Sequence, residues 1–179
     1  ALDESSKKKA FLGIWSKVSG QSLDGETFVA ISGLLGSPEV YEAVKPVFQD
    51  PEKAVNLVTL ALAHQSRVQS RQLVEMLAPG VGHLLQSPET VALALNAIGK
   101  LGIATLSDEV TALELPDGDA ALQRLLFAAK AVNPEQNADS FMVIADDPSA
   151  PFDLRIEAAH ALAPVESKEA HRLAEQLLD

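Results

Sequence analysis

Four histidines (His64, His83, His160 and His171) and 25 Asp and Glu residues are the groups in this chain able to carry acid–base or metal chemistry. Their spacing organises little of it. No His-Glu-x-x-His pair occurs, and cysteine is absent, which excludes disulfides and thiolate metal sites. His160 and His171 can approach each other across one helix pair, but two imidazoles without a third convergent ligand do not make a zinc site. Asp117-Gly118-Asp119 has the start of a calcium loop without the remaining oxygen ligands or the closing glutamate. A turn ending in a helix-capping aspartate is the simpler reading. No glycine-rich phosphate loop and no Gly-x-Ser-x-Gly elbow is present. Carboxylate pairs abound, but in so acidic a chain they carry no specific message. The expectation is no catalytic residue, no metal and no cofactor: a chain that is not an enzyme.

The carboxylates say more through their distribution. Residues 1–72 carry eight Lys/Arg and eight Asp/Glu, whereas residues 73–179 carry six against seventeen and hold the whole net charge of −11. Two stretches are purely acidic. One holds Asp108, Glu109, Glu114, Asp117 and Asp119; the other holds Glu135, Asp139, Asp146, Asp147 and Asp153. Such a surface repels phosphate backbones and anionic lipids, which argues against nucleic acid as a partner. It suits a basic protein or peptide; its simpler alternative is a solvated face that keeps the chain soluble.

The elements that must position these residues read as helices throughout. Ser37-Pro38-Glu39, Asp50-Pro51-Glu52, Ser87-Pro88-Glu89 and Asn133-Pro134-Glu135 repeat one start signal. A polar side chain caps free N–H groups, proline takes a position needing no N–H, and glutamate complements the helix dipole. No segment alternates with period two between turns, so no strand is expected. Apolar spacing predicts five helix pairs. Residues 27–35 lead into 37–49, 54–64 into 67–77, 90–101 into 107–115, 120–132 into 134–145, and 152–162 into 167–178. Offset by 96 residues, Pro38, Glu39, Val47, Asp50, Ala54, Ala63 and His64 meet the same residue types, seven identities in 29 positions. A helix-pair repeat is the natural source of such self-similarity. It gives His64 and His160 one shared role at a helix turn. Ala61, Ala63, Ala94, Ala97, Ala128, Ala129, Ala158 and Ala159 recur at corresponding places and predict close helix approach.

The segment LRIEAAHALAPVESKEAHRLAEQLL, residues 154–178, resembles HEAT-like repeats, in particular the short type of phycobilisome-lyase-like proteins. Arg155, Ala158, Ala159, Ala161 and Leu162 carry the resemblance, and Ala170, Leu173 and Leu177 continue it into the second helix. It extends over residues 26–179, best in the last unit; tetratricopeptide repeats are the runner-up. The resemblance implies an all-α fold, an α-solenoid of about five antiparallel helix pairs. The di-iron hydroxylase built from such repeats uses His-Glu pairs, and no His-Glu dipeptide exists here, so that activity does not carry over. In stacks of this kind the second helices line the concave side. Their outward polar positions, Glu39, Glu42, Gln69, Gln72, Glu135, Gln136, Asp139, Glu169 and Arg172, are then the candidate partner-binding residues.

Residues 6–18 place Phe11, Leu12, Trp15 and Val18 on one helical stripe, with Lys7, Lys8, Lys9 and Lys17 largely elsewhere. A basic amphipathic helix can lie on a membrane; it can also cover the open apolar edge of a stack, the preferred reading. Residues 1–25 are thus read as cap and linker and 26–179 as one repeat domain. Hydrophobic residues make up 47% but aromatics only 4%, so Leu, Val, Ile and Ala must fill the interior. No apolar run is long enough to span a bilayer. A first residue of alanine predicts a chain processed or cut from a longer one, loss of a signal peptide being one route. The function expected is a non-enzymatic protein-interaction scaffold or adaptor, or the interaction domain of a larger assembly. The alternatives are a ligand-handling enzyme of chromophore-lyase-like type and a structural oligomerisation module.

Overall fold

Helix after helix forms where the apolar spacing demands it. The computed structural model describes residues 4–18, 22–67, 70–115 and 119–178, except for the side chains of residues 4, 5, 7 and 16–18. Among these the chain is all-α, with eleven α-helices, two short 3-10 turns and no strand. Gln69, Asp117, Gly118 and the linker residue Gln21 lie outside the described residues, as do the Lys7, Lys17 and Val18 side chains. The chain divides into two compact units, Ala1–Leu106 and Ser107–Asp179. Almost all of the net negative charge falls in unit 2. Unit 1 holds nine Lys/Arg and ten Asp/Glu; unit 2 holds five and fifteen.

Unit 1 contains α1 (Glu4–Val18), α2 (Gly25–Ser32), α3 (Pro38–Phe48), α4 (Ala54–Ala63), α5 (Arg71–Leu84) and α6 (Val91–Leu101). Its core joins Phe28 and Ile31 of α2, Val40, Val44 and Phe48 of α3, Leu57 and Ala61 of α4, and Leu73, Met76 and Leu77 of α5. Phe28 and Phe48 stack at 5.9 Å. Trp15 of α1 is buried against this cluster and donates its indole N–H to the Ala43 carbonyl at 2.9 Å. Phe11, Leu12 and Trp15 of the α1 stripe therefore face protein.

Most of the alanines expected to allow close helix approach lie in the interior. Ala61, Ala94, Ala97, Ala129, Ala158 and Ala159 are buried. Ala63 and Ala128 are exposed, because each lies off the inward stripe of its helix. Gly80 belongs to the same device: a methyl group there would meet the Ala54 methyl at 3.3 Å. α5 comes this close to α4 because neither residue is larger.

Several boundaries depart from the sequence expectation. α5 runs past Leu77, through Pro79, to Leu84. Pro79 is exposed, so the backbone carbonyl it leaves unpartnered can be hydrated. The helix expected over residues 107–115 shrinks to α7 (Ser107–Thr111), preceded by the 3-10 turn Ala104–Leu106. Upstream, α6 stops at Gly102, whose φ of 68° glycine adopts without the cost a side chain brings.

The four proline start signals also divide. Ser37 is the N-cap residue of α3, yet its hydroxyl makes no cap bond and donates instead to Glu39 at 2.8 Å. Asp50 does cap, accepting from the Glu52 N–H at 3.0 Å, but opens a 3-10 turn, Pro51–Lys53, before α4. At Ser87 and Asn133 the proline sits in a turn, and the helix begins at Val91 or Ala138.

Unit 2 contains α7, α8 (Ala120–Lys130), α9 (Ala138–Asp146), α10 (Phe152–Leu162) and α11 (Lys168–Leu178). α9, α10 and α11 pack on one another around Phe141, Ala158, Leu162, Ala170 and Leu173. Phe127 of α8 meets Phe141 edge to face at 5.0 Å. Arg155 of α10 donates from Nε to the Ala145 carbonyl at 3.1 Å, satisfying a carbonyl at the end of α9. The shared role expected for His64 and His160 is not found. His64 follows the last residue of α4 as its C-cap, whereas α10 continues beyond His160 to Leu162.

Candidate functional site

His83, His160 and His171 are exposed and His64 is half-buried, with its ring against the Gly25 backbone. No group of three or more His, Asp or Glu side chains is placed to hold a metal ion among the described residues. Every buried side-chain nitrogen or oxygen among them has a hydrogen-bond partner.

The candidate partner-binding residues that are described are all exposed, as the helical spacing predicts. They fall into separate settings. In unit 1, Glu39, at the start of α3, binds Lys8 of α1 at 2.6 Å and accepts from Ser37. The Lys8 ammonium, followed by Glu39's own backbone N–H and the Ser37 hydroxyl, holds the carboxyl at about 2, against an ordinary value of 4.5. Glu39 is thus engaged within the chain. Glu42 and Gln72 lie exposed on α3 and α5, and Gln69 is outside the described residues.

The Lys8–Glu39 pair predicts an acid-sensitive attachment of α1. The carboxyl is depressed in the fold, so its stabilisation is complete above about pH 4.5 and is lost as pH falls toward about 2. Trp15, the only tryptophan, reports the docking of α1. Glu39→Gln flattens the change in Trp15 emission over that window; an unchanged profile would show that the pair does not hold α1.

In unit 2 the expected residues form two groups. Gln136 donates to Asp108 at 2.6 Å and accepts from Asn133 at 3.0 Å, tying the start of α7 to the turn before α9. Glu135 and Asp139 flank this tie, both exposed. On α11, Arg172 binds Glu169 at 2.7 Å and also donates to Gln176. Arg172 lowers the Glu169 carboxyl, and Glu169 raises the guanidinium in return, with Asp146 adding to the latter.

Beside that pair lies an open recess between α9 and α11. Met142, Val143 and Leu173 supply apolar lining, and Asp146, Asp147 and Glu169 supply carboxylates. Val143 is 71% exposed on a helix whose other face is core. The Asp147 carboxylate accepts from the Ser149 hydroxyl and N–H, which hold it below its ordinary value and fix it at the end of α9.

Sequence spacing did not single out Asn137. It is 3% exposed and joins α7 to the α8–α9 turn. Its amide donates to the Lys130 carbonyl at 3.2 Å and the Asn133 carbonyl at 3.0 Å, and accepts from the Thr111 hydroxyl at 3.0 Å. The available signal was the Asn133/Asn137 pair, one helical turn apart just before an apolar run. The end of α9 was likewise missed as a unit, although Asp146 and Asp147 stand out in the acidic stretch.

Comparison with family models, with curated proteins and with solved structures finds no match for the chain.

Proposed function

We propose that the chain is a helical-repeat protein of α-solenoid type, HEAT-like in its pairs, that works by binding another protein rather than by catalysis. In each unit, helices two apart along the chain touch: α3 with α5, α4 with α6, and α9 with α11. Stacked helix pairs produce that contact pattern, with successive first helices in one layer and successive second helices in another. The burial of Trp15 over the first of these pairs favours α1 as their cap.

The observation that carries the binding proposal is the α9–α11 recess. Exposed Val143 sits there with Met142 and Leu173, between Asp146, Asp147 and Glu169. An apolar floor with a carboxylate rim fits Lys or Arg side chains, whose stems are apolar and whose heads are charged. The partner is accordingly a basic, amphipathic protein segment. Fifteen Asp/Glu in unit 2 attract it at long range, and the recess fixes where it rests.

A labelled amphipathic Lys/Leu peptide tests this by fluorescence anisotropy. Binding saturates and weakens with added salt, because exposed charge pairs are screened. The triple change Asp146→Asn, Asp147→Asn and Glu169→Gln weakens it about tenfold, a sum of modest exposed pairs. Neutralising Glu109, Glu157 and Glu166, which lie outside the recess, costs much less. Equal losses from the two sets would mean that net charge alone attracts the peptide, and the recess would then have no role.

A further inference from the structure

Unit 2 also contains a cavity that the docking surface does not use. It measures about 250 Å³ and lies between α8, α9 and the start of α10. Phe127, Phe141, Ile144 and Leu154 form its apolar walls, and Arg124, Lys130 and Ser140 are the polar side chains that bear on the argument. We infer that this cavity binds a small amphipathic carboxylate, with its apolar body against Phe127, Ile144 and Leu154 and its carboxylate on Lys130.

Three observations support the assignment. The first is size. An apolar cavity of about 150 Å³ accepts benzene, so this one takes a body somewhat larger, such as a medium acyl chain. The second is charge. Unit 2 has only five basic residues among fifteen acidic ones, yet two of the five, Arg124 and Lys130, line this one cavity. An apolar cation finds no carboxylate among the lining side chains, whereas an apolar anion finds an ammonium and a guanidinium. The third is availability. Lys130 is half-buried, and among the described residues no carboxylate pairs with it. Arg124, by contrast, is bound to Asp153, a pair that links α8 to α10 beside the cavity.

The two cations therefore play different parts. Lys130 is the contact for the incoming carboxylate. Asp153 competes with the ligand for Arg124, so the resident ion pair limits affinity. This gives two substitutions opposite signs, which a merely greasy cleft would not. It also separates the cavity from the α9–α11 recess, whose carboxylates would repel the same ligand.

Decanoate is the probe, titrated below its micelle concentration into the full chain and followed by NMR shifts. Decyltrimethylammonium at the same concentrations is the control of opposite charge. Decanoate saturates a single site with shifts centred on Phe127, Phe141, Ile144 and Leu154, and the cation does not. Lys130→Gln weakens decanoate about tenfold, the loss of one charge-assisted contact. Asp153→Asn tightens it about threefold by releasing Arg124. Ser140→Trp, at an exposed residue beside the cavity, plugs it and abolishes the shifts while leaving the fold intact. Equal binding of the cation, shifts centred outside the cavity, or no saturation by decanoate would each overturn the inference. So would Lys130→Gln and Asp153→Asn variants that fold and bind as the unchanged protein does.

Discussion

Trp15→Ala lowers the stability of unit 1 by about 3–5 kcal/mol, the range for emptying a buried aromatic site. The indole is 5% exposed and stacks on Phe11 with ring centres 5.6 Å apart. Truncation removes that contact, opens a cavity in the unit 1 core cluster, and strips the Ala43 carbonyl of its indole donor. Trp15→Phe separates these effects. It keeps most of the apolar area and loses the 2.9 Å hydrogen bond, costing about 1 kcal/mol from the bond together with a smaller packing term. Urea unfolding followed by circular dichroism measures both, since the tryptophan signal is gone. The result also decides between the two readings of the basic N-terminal helix. A cap that seals the core gives the large loss. A helix destined for a membrane surface, with its apolar stripe only resting on protein, gives a loss below about 1 kcal/mol.

How far the fold was legible follows from where its causes lie. The segments 54–64, 90–101, 120–132, 152–162 and 167–178 formed helices within a residue or two of their expected bounds. Four of them carry their own apolar stripe, and several have a cap or stop within the segment; 152–162 is the exception, with apolar residues on more than one face, exposed Phe152 among them. The failures sit where a distant group decides. α9 starts four residues late because Asn137 turns its amide back onto Lys130 and Asn133, and Thr111 supplies the third bond. Ser37 and Ser87 give their hydroxyls to Glu39 and Glu89, so the residues expected to cap N–H groups are occupied with carboxylates. Repeat matching at an offset of 96 residues aligned His64 with His160, but the two helices stop at different points relative to them.

The candidate surface divides in the same way. That Glu39, Glu42, Gln72, Asp139, Glu169 and Arg172 point to solvent follows from helical period, whereas Glu135 and Gln136 are exposed in the turn before α9. Which of them remain available does not. Lys8 takes Glu39, and Asp108 takes Gln136, at separations of 31 and 28 residues that no local pattern encodes. Only the Glu169–Arg172 pair was within reach of local spacing, being three apart on one helix. Val143 had the apolar character of a core residue, and its exposure depends on how α9 is rotated against α10 and α11.

Asn137→Asp is expected to be the most damaging single change in unit 2, with a pH dependence that identifies the cause. The Asn137 amide faces two carbonyls, which only accept, so its NH2 group must lie toward them and its oxygen toward the Thr111 hydroxyl. An ionised aspartate sets a buried negative charge against the Lys130 and Asn133 carbonyls. The cost near neutral pH is about 3–5 kcal/mol, that of a buried charge without a partner. Protonation relieves it, because a carboxylic acid can again donate to one carbonyl. The folded state therefore raises the aspartate pKa above its unfolded value of about 4. The sign follows: the penalty is full above the raised folded pKa and fades as pH falls toward about 4. Asn137→Ala, with nothing to titrate, loses about 1–3 kcal/mol from unsatisfied groups at either pH. Chemical unfolding of both variants and the unchanged protein at about pH 7 and about pH 4 makes the comparison, each variant being scored against the unchanged protein at the same pH. If Asn137→Asp loses the same amount at both, the network about residue 137 is open to water and does not lock α7 to the α8–α9 turn.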